Sequence, residues 1–158
     1  MSYHQRYDYR IIHEDLYNAL KPLADKCYLT SRPKVDNDNP KSFIVIRMSS
    51  GIRDRGDTYQ TARVLVHVFV RDKEGGIEDA VLLDTITHDI CDLMPFIRPR
   101  FTAFNPNLLS SGEDMGFHYH ILQLSLTINK KTLPGLQGRH KKDRDCDFWA
   151  ECSNQNEF

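Results

Sequence analysis

"SSGIRDRGDTYQTARVLVHVFVRD", residues 49–72, runs a charged, glycine-punctuated segment straight into a strand with valine at every second position. Successive side chains of a strand point to opposite faces. Val64, Val66, Val68 and Val70 therefore share one face, and Arg63, Leu65, His67, Phe69 and Arg71 share the other. The valine face belongs in a core. Counted back to Thr58, an unbroken strand would be about 50 Å long at roughly 3.3 Å per residue, against a typical length of about 5 or 6 residues. The reading that follows is a polar first half projecting beyond the domain as a long β-hairpin, residues 49–61.

Around this strand the apolar periodicity sets out further elements. Ile12, Leu16, Ala19, Leu20 and Leu23 recur at helical spacing opposite Glu14, Asp15, Asn18 and Lys21, which predicts an amphipathic helix from about Tyr9 to Lys26. Pro22 lacks a backbone donor and ends or kinks it near Leu20, with a further turn possible. "TSRPKVDNDNPKS", residues 30–42, is a loop, and "FIVIRM", residues 43–48, is a mostly buried strand. Residues 77–94 form a second helix with Ala80, Leu83, Ile86, Ile90, Leu93 and Met94 on one side, stopped by Pro95. "RFTAFN" is a short strand, "NLLSSGEDMG" a turn-rich loop, and "FHYHILQLSLTI" a second central strand with Leu122, Leu124, Leu126 and Ile128 on one face.

The order helix, strand, strand, helix, strand, strand predicts an α+β fold: a mostly antiparallel four-stranded sheet with two helices packed on one face. Residues 1–129 form this single domain. Residues 130–158, charged and without clear period, form an extended C-terminal arm whose Phe148 and Trp149 could anchor it to a neighbour. The uncovered sheet face carries Leu65, His67, Phe69, Tyr119 and Ile121, an apolar and aromatic set that points to burial by another subunit.

With 40 % hydrophobic and 27 % charged residues and a formal net charge of -1, the 158-residue chain has the composition of a soluble globular protein. Bulk charge gives no argument for nucleic-acid binding. No apolar run approaches a membrane helix and the first ten residues lack the apolar core of a signal peptide, so the expected location is the cytoplasm of the producing cell. Cys27, Cys91, Cys146 and Cys152 contain no CxxC and read as free thiols.

Spacings that build phosphate cradles, zinc sites or nucleophile elbows are absent from the sequence, which weakens an enzymatic reading. The best metal candidate is His118 with His120, two apart on one strand face, with His67 on a neighbouring strand as a third ligand. Alternation works against it, since His67 lies opposite the valine face while the other two share the leucine face. "DNDNP", residues 36–40, starts like a calcium loop but lacks the following glycine and the distant glutamate, and so reads as a turn. "RHKKDRDCDFWAEC" fits no common zinc spacing and reads as a solvated arm. Arg53, Asp54, Arg55 and Asp57, with Tyr59, offer both charge signs on the hairpin. The choice is between a solubilising loop and a subunit contact whose charges set register. Facing nucleic acid is less favoured, because Asp54 and Asp57 would oppose phosphate.

Taken in order, "IIHEDLYNAL", "FIVIRM", "SSGIRDRGDTYQT", "ARVLVHVFVRD", "GIEDAVLLDTITHDICDLM" and "GFHYHILQLSLTI" resemble the tail-terminator, or tail-completion, proteins of long-tailed bacteriophages and related neck and minor tail proteins. The resemblance implies a small α+β subunit of a hexameric ring that caps the tail tube and meets the head connector. It implies a virion location, with host cytoplasm during assembly, genomic DNA passing through the channel without sequence-specific binding, and a structural role without enzymatic turnover or cofactor. The alternatives are a head-completion or connector protein at another level of the neck, a histidine-based metal protein, and a host-directed binding module. The expected subunit and partner contacts are Arg53, Asp54, Arg55, Asp57, Tyr59, Leu65, His67, Phe69, Tyr119, Phe148 and Trp149.

Overall fold

The computed structural model describes residues 3–29, 39–49 and 51–130, with side chains from Arg10 onward. The arm from residue 131, with Phe148 and Trp149, and most of the loop at 30–42 lie outside the described residues. The chain opens with helix α1, Tyr3–Leu20. Ile12, Leu16 and Leu20, spaced by four, are its buried stripe. Pro22 then sits in a single 3-10 turn, Lys21–Leu23, where its missing N–H leaves no gap in a longer helix.

Strands β1 (Lys26–Leu29), β2 (Ser42–Met48), β3 (Arg53–Asp54) and β4 (Tyr59–Arg71) follow. Helix α2, Ala80–Asp92, comes next, its first turn capped by the Asp79 carboxylate, which accepts from the Leu82 N–H. Strands β5 (Phe96–Ile97), β6 (Phe101–Asp114) and β7 (Phe117–Asn129) complete the described chain. The strands form one sheet in the order β1-β2-β4-β7-β6-β5, with β3 also paired to β4. The β1–β2 pair is parallel and the other pairs are antiparallel.

This corrects the four-stranded expectation. Strands make up about half of the described residues, which form a curled seven-stranded mixed sheet, a half-barrel, with two helices. Three short strands, β1, β3 and β5, and the lengthening of β6 account for the difference. "KCYL", residues 26–29, which lie between the expected helix end and the expected loop, pairs with residues 43–46 of β2 as β1. The "NLLSSGEDMG" loop is instead the outer half of β6, paired with β7 down to Asp114↔Phe117.

The long projecting hairpin is also corrected. β4 does run 13 residues, yet it pairs with β7 along its whole length, from Tyr59↔Asn129 to Arg71↔Phe117. On its other side β2 covers residues 64–70 and β3 covers Thr61 and Gln60. The Ser49 N–H donates to the Arg63 carbonyl between those two pairings. The polar half therefore folds back onto the sheet, where its backbone groups find partners and are not left exposed on a free ribbon.

Both helices lie on the valine face. Ile12, Leu16 and Leu20 of α1 and Leu83, Ile86 and Ile90 of α2 pack in one cluster with Ile44, Ile46, Val64, Val66, Val68, Leu122, Leu124 and Ile128. Each such side chain removed from water contributes about 1.5–3 kcal/mol, so this layer dominates the driving force for folding. The opposite face has a smaller core of its own, in which Phe43, Val45 and Phe117 are buried with Tyr28 and Phe69 against them.

Candidate interaction face of the sheet

The face turned away from the helices grades from aromatic at one end to cationic at the other. At the aromatic end Phe43 stacks on Phe69 at 4.6 Å between ring centroids and meets Phe117 edge-on at 5.2 Å. The Arg71 guanidinium lies 4.8 Å from the Phe117 ring and donates to the Pro40 carbonyl and to the Asn39 side-chain oxygen. This closes over part of a surface that sequence patterning left for a partner. Leu65, His67, Phe69, Tyr119 and Ile121 are half-buried on it. Tyr119 lies across the backbone of its cross-strand neighbour Gly112, whose missing side chain makes room for the ring.

The cationic end is built by register. Arg53 of β3 pairs with Thr61, and Arg63 of β4 pairs with Ser125, which pairs in turn with Phe104 of β6. These residues share one face, as does Arg47, which pairs with Leu65. A recess of about 320 Å³ opens here, lined by Arg53, Arg55, Arg63, Thr61, Phe104 and Ser125 over Ala62 and Leu126. The Arg55 Nε–H donates to the Thr61 hydroxyl at 3.0 Å. Asp54, between two of the arginines in sequence, is turned to the other face. There its carboxylate accepts from the Gln60 amide at 2.9 Å and lies 3.4 Å from the Lys130 ammonium. Those two contacts hold it below the usual carboxylate range, the Gln60 hydrogen bond first. Asp57 and Tyr59 are exposed.

The histidines separate. His67 pairs with Ile121 on the outward face and stacks on Phe69. Burial, with the nearby Arg47 charge second, lowers its pKa, so it is neutral at pH 7. His118 and His120 pair with Val70 and Val68 on the helix face, and His120 Nδ1 lies 3.0 Å from the Thr87 hydroxyl of α2. A site shared by all three is therefore not formed. Sequence reading missed a different cluster: Asp72, Glu113 and His118, whose ligand-type atoms lie within 4.8 Å of one another at the β6–β7 turn. His118 presents Nδ1 to Asp72 and Nε2 toward Glu113 at 3.9 Å. Each ring nitrogen faces a carboxylate, an arrangement that favours the protonated imidazole and raises the His118 pKa, the Asp72 hydrogen bond first.

The third feature is the outer edge of β6. β5 covers only Thr102 and Ala103, so beyond Phe104 this side of β6 carries no strand among the described residues. Leu108 and Leu109 are 51 % and 49 % exposed, and Met115 at the turn is 92 % exposed. Alternation alone places Arg63 on the outward face with Leu65. Nothing in the spacing of residues 104–115 announced an edge.

No protein-family model matches the sequence, and a search of curated proteins returns no match.

Proposed function

We infer that the chain is a structural subunit of a phage tail-terminator or neck ring, which caps the tail tube and joins it to the head connector. The observation that carries this reading is the open edge of β6. A long strand whose outer side has no partner strand among the described residues, with two adjacent exposed leucines, is a template for pairing with another chain. A second copy is the natural occupant. An edge that docks on a different surface of the next subunit makes a head-to-tail contact, and such contacts close into rings when the rotation permits. The half-buried Leu65, Phe69 and Tyr119 lie on the same sheet and would extend the contact.

The resemblance of the sequence to tail-terminator proteins implies the viral context and the hexamer, with tail tube and head connector as the neighbours and the virion as the location. DNA passes through such a ring without base readout. A head-completion or connector role at another level of the neck uses the same assembly chemistry and differs in ring order and attachment point.

The test is negative-stain microscopy of the purified protein, alone and mixed with tail tubes. Rings, or added density at the head-proximal end of tubes, support the reading. A protein that stays monomeric at high concentration and leaves tubes unchanged overturns it.

A further inference from the structure

We propose that the recess walled by Arg53, Arg55, Arg63 and Phe104 binds a nucleotide unit, taking phosphate on the arginines and a base against the phenyl ring. Such a unit can come from a single-stranded nucleic acid or from a free nucleotide. The objection raised by the sequence was that aspartates alternate with these arginines. Strand geometry removes it for Asp54, which points to the opposite face and is neutralised by Lys130. The arginines are left on one side of the sheet, none paired with a carboxylate among the described residues, although the whole chain carries a formal charge of only -1.

Arrangement and size both favour an anion with a flat apolar group attached. The Arg55 Nε bond to Thr61 orients that guanidinium and leaves its terminal nitrogens to donate, the fork geometry that matches phosphate oxygens. The hydroxyls of Thr61 and Ser125 add further donors at the wall. Phe104 supplies a ring for stacking, the sequence-tolerant contact by which proteins hold unpaired bases. A volume of about 320 Å³ is at the lower end of the range for small-ligand pockets, which suits one nucleotide and not a duplex. An acidic peptide would satisfy the arginines but has no use for the ring. The proposal goes beyond the ring reading and does not require assembly, so a protein that forms no rings leaves it standing.

Fluorescence anisotropy with a labelled oligothymidylate tests it, with thymidine monophosphate and polyglutamate as competitors. With one phosphate held in the recess, affinity falls roughly threefold between about 50 and 200 mM salt. Arg53→Ala and Arg63→Ala each weaken binding at least about fivefold and flatten the salt dependence, and Phe104→Ala weakens it about tenfold. Lys41→Ala, which removes a charge paired with Asp79 elsewhere on the surface, leaves binding within about twofold. Displacement by the monophosphate identifies a free nucleotide as a sufficient ligand. Oligomer binding that the monophosphate does not displace identifies a strand. The proposal is overturned if no phosphate compound binds at low salt, if the arginine variants bind as the parent does, or if polyglutamate displaces the oligomer as well as the monophosphate does. Circular dichroism confirms that each variant is folded.

Discussion

His118 holds Asp72 through its Nδ1, 2.5 Å from the carboxylate Oδ1, and so ties the start of β7 to the residue that follows β4. The hydrogen bond to Asp72 is the main reason the His118 pKa is raised above its ordinary 6.5, with the charges of Asp72, Glu78 and Glu113 adding to it. A base with a raised folded-state pKa stabilises the fold fully below its unfolded value, and that contribution is lost as pH rises through the folded value. NMR titration of the His118 ring should therefore give a midpoint above the unfolded one. Asp72→Asn should bring it down, and an unchanged midpoint in that variant would show that the contact is not formed in solution.

His67 should behave in the opposite sense. Burial and Arg47 lower its pKa, so protonation favours the unfolded chain and its effect on stability grows as pH falls through 6.5. Arg47→Ala should raise the His67 midpoint in the same NMR experiment, by less than exposing the ring would, because burial is the larger cause.

Truncation in the helix-facing layer should cost far more than truncation on the outward face. Leu124 and Ile90 are fully buried in the main cluster, so Leu124→Ala or Ile90→Ala should each lose about 2–5 kcal/mol in urea unfolding. Asp79→Ala removes the α2 cap together with the ion pair to Lys41 and should lose about 1 kcal/mol.

The β6–β7 turn places Met115 and Gly116 both at positive φ, 47° and 87°, the pattern of a two-residue hairpin that prefers asparagine then glycine. The Gly116 carbonyl also accepts from the Asp72 N–H. Gly116→Ala should destabilise by about 1–2 kcal/mol. Met115→Asn should be neutral or stabilising, and it removes an exposed apolar side chain at the same time. A loss of stability in that second variant would argue against the turn type.

What the sequence disclosed depends on whether one side of an element is dry. Val64 to Val70 and Leu122 to Ile128 alternate because the helices dehydrate one face only, and Ile12, Leu16 and Leu20 show the matching helical stripe. Residues 104–114 of β6 have water on both faces, so no apolar period arises and Ser110, Ser111 and Gly112 read as turn chemistry. The Asn105–Pro106 step adds to this: Asn105 has a φ of 56° and the pairing register shifts between Phe104 and Asn107. Such a bulge is where proline is tolerated in a sheet. A hairpin within residues 49–61 was legible from its glycines and polarity, whereas the limits of β3 are set only by its partners Thr61 and Gln60. The recess shares that limit, because Phe104 reaches Arg63 only through the pairing of three strands.

Variants that probe assembly must leave the sheet intact. Deleting residues 51–57 would remove β3 and the Gly56 carbonyl that accepts from Lys130, and so would disturb the fold as well as any contact. Leu108 and Leu109 are exposed, and substitutions there should alter stability by no more than about 0.5 kcal/mol.

The most direct measurement is the mass of the particle in solution, by light scattering coupled to size exclusion, for the parent and for the double variant Leu108→Lys with Leu109→Lys. The account predicts a ring-sized oligomer for the parent and a folded monomer for the variant. A parent that is monomeric at every concentration, or a variant that assembles like the parent, would contradict it.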